Sequence, residues 1–259
     1  KEAFAPNAYF IDVWSSMGPH DYWTPDGRFV PRTETRKAWG NAFAWIRNTL
    51  GDQAPMISES GHDQLIGFLD GAQANHLRVD ANPPANGEWM VWKVTAEAAE
   101  RIPWFDFAWH DRFALHGAGY ESRYAAGLDV REHGIYSDDY ITTEIMCGRP
   151  AMADAPFNRN VVRKYWLTHA AMRAVAALRM DNVEFVGNDL QRQHIRWANT
   201  GETWVNRSAT DWTVKERVLP QYGFYIKTPL ADGVFAEAAI ERQDGMIVEW
   251  ARSPESLYV

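Results

Sequence analysis

The sequence predicts a chain of two characters: α/β in its first part, as the C-terminal portion of a (β/α)8 TIM-type barrel, then all-β, as a small antiparallel β-sandwich. Three observations predict it. Up to residue 182, short apolar runs ending in acids alternate with longer stretches of helical periodicity, the rhythm of a parallel sheet with crossovers. Polar and acidic residues gather where those runs end, and a parallel barrel builds its site there. Beyond 182, seven short runs follow at close intervals, punctuated by Gly187, Gly201, Gly223 and Gly245. The expected domains are therefore residues 1–182 and 183–259.

The opening stretch "NAYFIDVWSS" (7–16) reads as a buried strand ending on Asp12. Residues 17–33, with three prolines and a Pro-Asp-Gly turn, read as a long loop. In residues 34–50, Ala38, Ala42, Trp45, Ile46 and Leu50 recur at helical spacing, with Thr33 or Thr35 as N-cap and Gly51 as the stop. "APMISES" (54–60) is a strand ending in Glu59, and "GHDQLIGFLDGA" is expected to be a short helix. Further strands are expected at 75–80, ending in Asp80, at 103–111, ending near Asp106, His110 and Asp111, and at 138–148, around Glu144. Residues 158–180 form the longest expected helix, burying Val162, Tyr165, Trp166, His169, Met172, Val175, Ala176 and Met180. Five strands precede residue 148 where a closed barrel needs eight, so the missing ones are expected upstream, on a preceding segment or a second copy of the chain.

The bulk numbers exclude several classes. The chain has 259 residues, 46% of them apolar and 23% charged, which suits a soluble globular protein. No apolar run is long enough for a membrane span, and "KEAFAPNAYF" lacks the apolar core of a secretory leader. A net charge of −8 without a basic cluster argues against nucleic acid. The single Cys147 rules out an internal disulfide and a multi-cysteine metal site. Thirteen tryptophans are many, and exposed indoles are platforms for the apolar face of a sugar. Trp14, Trp23, Trp89, Trp92, Trp104 and Trp109 lie near expected strand ends or loops, whereas Trp45 and Trp166 fall on helical stripes and are expected to pack.

Asp12 and Glu59 end successive strands. Neighbouring strands lie about 4.8 Å apart, so two such carboxylates can face one pocket. Glycoside hydrolysis needs a pair of this kind, about 5 to 5.5 Å apart for a nucleophile and an acid/base, wider for inversion through a water. Their surroundings must differ, so that one is ionised while the other holds a proton. Ser15 or Ser16 could hold Asp12. The bland reading of each acid is a helix cap or an arginine partner. Glu144 is a rival acid/base or a hydrogen-bonder to substrate, and Asp111 is better read as a partner for Arg112. Trp14, His20, His62, Asp63, Trp109 and His110 complete the expected sugar-binding set. A non-catalytic carbohydrate-binding protein on the same scaffold is the alternative.

The histidines and acids at 62, 63, 76, 80, 110 and 111 show no tight metal-ligand spacing, so no metal site is expected. "SESGH" departs from the nucleophile-elbow pattern, and no glycine-rich phosphate loop or other cofactor motif is present.

"YFIDVWSS", a helix and then "PMISESGHDQLIG" resemble the catalytic segment of the endo-α-N-acetylgalactosaminidase-like glycoside hydrolases, families 101 and 129 and their uncharacterised relatives. "ETWVNRSATDWTVKERVLPQYGFYIKT" and "AIERQDGMIVEWARSPESLYV" are similar to the β-domain that follows such barrels. The resemblance implies a retaining mechanism on α-linked sugars, with Asp12 as nucleophile and Glu59 as acid/base, no cofactor, an oligosaccharide or glycoconjugate substrate, and an extracellular or periplasmic location. It also implies that the first half of the barrel lies upstream.

Overall fold

The structure, a computed structural model, describes residues 6–16, 18–51, 53–59, 61–73, 102–116, 130–153 and 157–259. The expected strand at 75–80, with His76 and Asp80, and Trp89 and Trp92 fall outside these residues. The chain divides into two compact units, residues 1–74 with 112–115, and residues 75–111 with 116–259.

The first unit is built on a sheet in the order β1 (Tyr9–Ile11), β4 (Met56–Ser58), β5 (Gly71–Gln73), β6 (Ala114–His116). β1 and β4 are parallel, pairing Tyr9 with Met56 and Ile11 with Ser58, and β4 and β5 are parallel too. The crossover between β1 and β4 is α1 (Arg32–Leu50), the strand–helix–strand order that the sequence predicts. Gly51 ends α1 at φ 122°, as expected, with its N–H donating to the Arg47 carbonyl. Its start differs: Pro31 stands at the N-cap and no side chain caps it. Its buried face also differs, centring on Thr35, Gly40 and Phe43. Trp45, expected to pack, is 69% exposed. Gly40 is needed because the Phe68 ring lies 2.4 Å from where a Cβ would stand. Arg47 ties the end of α1 to the sheet, donating to the Ala54 carbonyl at 3.2 Å and to Asp70 at 2.9 Å, while Asp70 accepts from the Met56 N–H at 2.7 Å.

Two local expectations are corrected here. The loop 17–33 contains a small hairpin, β2 (Tyr22–Trp23) with β3 (Phe29–Val30), closed by Gly27 at φ 84°. "GHDQLIGFLDGA" is not a helix but a 3₁₀ turn, Asp63–Leu65, leading into β5.

Among the described residues, the second unit joins four helices to an antiparallel sheet. The expected strand at 103–111 is a helix, α2 (Trp104–Trp109), started by Pro103, which suits a first turn because it lacks an N–H. The expected strand at 138–148 is also a helix, α4 (Asp138–Cys147), preceded by the short α3 (Val130–His133). Ser137 caps α4 by accepting the Tyr140 N–H, and Gly148 ends it at φ 67°. Ile141 and Ile145, one turn apart, are both buried in the main core of this unit. In α5 (Arg159–Val175), capped by Asn158, the buried face is Lys164, Leu167, Thr168, Ala171, Met172 and Val175. Only Met172 and Val175 are shared with the expected stripe; Tyr165 is 52% exposed and Trp166 41%.

The strands run β7 (Met180–Phe185), β8 (Arg192–Trp197), β9 (Glu202–Asn206), β10 (Trp212–Val214), β11 (Arg217–Leu219), β12 (Gly223–Pro229), β13 (Phe235–Gln243), β14 (Met246–Arg252) and β15 (Leu257–Tyr258). Hydrogen bonds join them into one antiparallel sheet in the order β10-β11-β13-β12-β9-β8-β7, with β14 and β15 branching from β13. Lys215 and Glu216, both at positive φ, make the two-residue turn between β10 and β11. Phe224 and Ile226 of β12 pack into the core shared with α4 and α5, while Tyr225 packs on the other face with Trp204 and Leu219.

Candidate active site

The pairing of Ile11 with Ser58 sets residues 12 and 59 side by side, each the first residue after its parallel strand. Asp12 is exposed and Glu59 is buried. The backbone turns sharply after Asp12. Val13 has φ 62°, a left-handed conformation that a β-branched side chain rarely adopts. That turn aims the Val13 N–H at the Glu59 carboxylate, 3.1 Å away. Strain of this kind persists where the surroundings over-determine it, and it concentrates at functional sites.

Beneath the acids, the strands are tied by hydroxyls. Ser15 Oγ donates to Ser58 Oγ at 2.5 Å, and Ser58 Oγ donates to the Ile11 carbonyl at 2.5 Å. Ser15, expected as a holder of Asp12, thus has Ser58 as a partner. Trp14 lies in a 3₁₀ turn, Trp14–Ser16, with its ring stacked on Trp39 at 6.4 Å and tilted against Phe43 at 5.8 Å, both on α1. Trp39 lies outside the sugar-binding set expected from sequence; its signal is the i, i+4 spacing to Phe43. Trp14 keeps 43% of its surface exposed.

His62 follows Glu59 by three residues. Burial lowers its pKa, opposed by the Asp63 charge and by a hydrogen bond to the Ser15 backbone. Its buried Nε2 has no hydrogen-bond partner. Asp63 is exposed and accepts from Gln64 Nε2 at 3.4 Å. His20 is exposed beside Tyr22, ring centroids 6.2 Å apart, and its carbonyl accepts from Thr35 Oγ1. Trp23 and Phe29 face one another across the β2–β3 hairpin at 5.2 Å, both exposed.

Trp109, His110 and Glu144 belong to the second unit, and none stands at the end of a parallel strand. Trp109 closes α2. His110 is buried, with Nδ1 2.6 Å from the Leu178 carbonyl and Nε2 2.9 Å from the Gly148 carbonyl, its ring against Trp197. Glu144, on α4, is buried with Lys164 at 2.8 Å and accepts the Met152 N–H at 2.7 Å. Burial pushes its carboxyl up to about 7 against the pull of Lys164. Asp106, expected at a strand end, is held bidentately by Arg149 at 2.7 and 2.9 Å. Among the described residues, no group of three or more His, Cys, Asp or Glu side chains is placed to hold a metal ion. No described helix is long and apolar enough to cross a membrane.

Three solved structures of one enzyme are similar to this chain in fold. They are the α-N-acetylgalactosaminidase NagBb from Bifidobacterium bifidum, ligand-free (TM-score 0.51, covering 77% of this chain and 29% of that one), in its GalNAc complex (0.52, 77% and 30%) and as a quadruple mutant (0.51, 79% and 30%), each 14% identical. The fold is glycosidase-like. At this identity the likeness concerns the fold alone, and the chain spans under a third of NagBb. No family model matches the sequence, and no curated protein does.

Proposed function

We propose that the chain carries the catalytic pair of a retaining glycoside hydrolase acting on α-linked sugars, with α-N-acetylgalactosaminides and α-galactosides as the substrate class. The observation that carries this reading is the parallel register of β1 with β4, which sets Asp12 beside Glu59 and turns the Val13 N–H onto the Glu59 carboxylate. Adjacent parallel strands are about 4.8 Å apart, close to the carboxyl separation of about 5 to 5.5 Å that retention requires. The exposed Asp12 and the buried Glu59 have the unlike surroundings that a nucleophile and a proton donor need. The fold shared with an α-N-acetylgalactosaminidase points to the same substrate class.

In this reading the Asp12 carboxylate attacks the anomeric carbon while Glu59 protonates the leaving oxygen. Glu59 then takes a proton from the water that releases the sugar. Trp14, held against Trp39 and Phe43, offers its exposed face to the sugar ring, with His20, His62 and Asp63 nearby in sequence. Residues 1–182 would then be the C-terminal part of a (β/α)8 barrel, completed by a preceding segment or a second copy, and residues 183–259 its β-domain.

The test is kinetic. On aryl α-N-acetylgalactosaminide or α-galactoside, Asp12→Asn and Glu59→Gln are each expected to lower turnover by at least about 10³-fold with an unchanged melting temperature. Full activity in Asp12→Asn overturns the assignment. A second reading, carbohydrate binding without catalysis, is favoured by the exposed Trp23 and Phe29; sugar binding with no turnover by any version of the chain would decide for it.

A further inference from the structure

Apart from Asp12 and Glu59, the second unit holds a cavity of about 530 Å³, within the size range of small-molecule sites. It lies where α3, the first turn of α4, Arg163 of α5 and the Gln221-Tyr222 turn meet. We propose that this cavity is a second carbohydrate site, one that takes a neutral sugar and performs no chemistry.

The charges on its floor are already matched. Asp139 is buried between Arg207 at 2.6 Å and His133 Nδ1 at 2.8 Å. Arg163 is held by Asp138 at 2.6 Å, Glu249 at 2.7 Å and the Tyr136 carbonyl at 2.9 Å. These pairs bear on the ligand class. Asp138 is already met by Arg163, and Asp139 by Arg207 and His133, and among the described residues no cluster is placed to hold a metal ion. An anion would meet three carboxylates, Glu132, Asp138 and Asp139, against two lining arginines. An apolar ligand would strand polar groups on every wall. A hydroxyl both donates and accepts, so a polyhydroxylated neutral molecule suits walls that alternate acceptors and donors.

The wall formed by Tyr222 is a second, independent feature. Tyr222 sits at φ 60°, a conformation that costs a bulky residue on the order of 1–3 kcal/mol. It is held there because its carbonyl accepts from Thr142 Oγ1 on α4, and Gly223, next in the chain, leaves no room for a Cβ against Pro220 at 2.6 Å. The Tyr222 ring lies 5.9 Å from the buried Arg207 guanidinium, the partner of Asp139, so one phenol both backs that ion pair and forms part of the cavity wall. Arg131, Glu132 and Gln221 form the exposed rim.

The probes are N-acetylgalactosamine and galactose, with galacturonate as the anionic control, titrated by calorimetry into the intact chain and into three variants. Arg131→Ala/Gln221→Ala alters only the exposed rim, Tyr222→Gly removes the phenol from a position glycine favours, and Asp12→Asn alters the other unit. The expected result is millimolar binding of a neutral sugar, weakened about tenfold or more by the rim and Tyr222 variants and retained in Asp12→Asn, with hydrolysis unchanged in the rim variant. Binding that is absent in the intact chain, indifferent to both cavity variants, lost in Asp12→Asn, or tighter for galacturonate would overturn the proposal. Because hydrolysis and binding are read separately, loss of the cavity site leaves the catalytic reading standing, and an inactive chain leaves the cavity site testable.

Discussion

Glu144 was a rival for the acid/base role on the strength of its neighbours in sequence, "TTE" in an apolar run. In the fold its partners are Lys164 and the Met152 N–H, both structural, and burial dominates its protonation. The folded chain holds that proton up to about pH 7, whereas an unfolded glutamate releases it near 4.5. Between those limits folding takes up a proton, so stability falls as pH rises, by up to about 1.4 kcal/mol per pH unit from this group. Glu144→Gln is expected to flatten that slope in urea titrations taken across the window; an unchanged slope would place the proton elsewhere. At the opposite extreme stands Val13. No pattern in the sequence marks it, yet its left-handed turn delivers the N–H that Glu59 accepts. Strained backbone is invisible to periodicity because it is imposed by partners distant in the chain, here 46 residues away.

Elements were legible where pattern and punctuation agreed. α1 and α5 were found by their periodicity, and Gly51 marked the end of α1. Their buried faces were misjudged for one reason. Periodicity marks apolar side chains, but α5 buries Lys164, whose ammonium is met by Glu144 and by the Ile135 carbonyl at 2.7 Å. A buried lysine with partners outranks an exposed tryptophan, and only the partners reveal it. The β-branched run Ile141-Thr142-Thr143 favours a strand at 138–148, but Ser137 and Gly148 cap a helix there. Gly40, inside α1, invites a test at this scale. Alanine there gains about 1 kcal/mol of helix propensity but drives a Cβ to 2.4 Å from the Phe68 ring, and overpacking typically costs about 1–3 kcal/mol. Gly40→Ala is therefore expected to lower the urea midpoint, and a raised midpoint would mean that Phe68 moves aside freely.

Over the whole molecule, the two sheets differ in how directly the sequence spelled them. Six of the seven short runs each hold one antiparallel strand, because hairpins pair near neighbours and turn residues set the register; the seventh, residues 213–220, instead turns at Lys215-Glu216 into the β10–β11 hairpin, and β15 had no run of its own. β12 and β13 lie at its centre, buried on both faces and paired along both edges. Their amides are expected to be the slowest to exchange in that unit, as read by hydrogen-exchange mass spectrometry on peptides spanning 223–229 and 236–241; faster exchange there than in β7 would contradict the assigned core.

The sequence by itself determined that acids follow the parallel strands β1 and β4 and that hairpins fill the chain beyond residue 182, since both are local matters of alternation and turn chemistry. Only the tertiary structure decided that Asp12 stands level with Glu59, that Glu144 and His110 serve the packing of the second unit, and which side of each helix faces inward. Those outcomes depend on contacts between residues tens of positions apart, and such contacts leave no periodic trace in the chain.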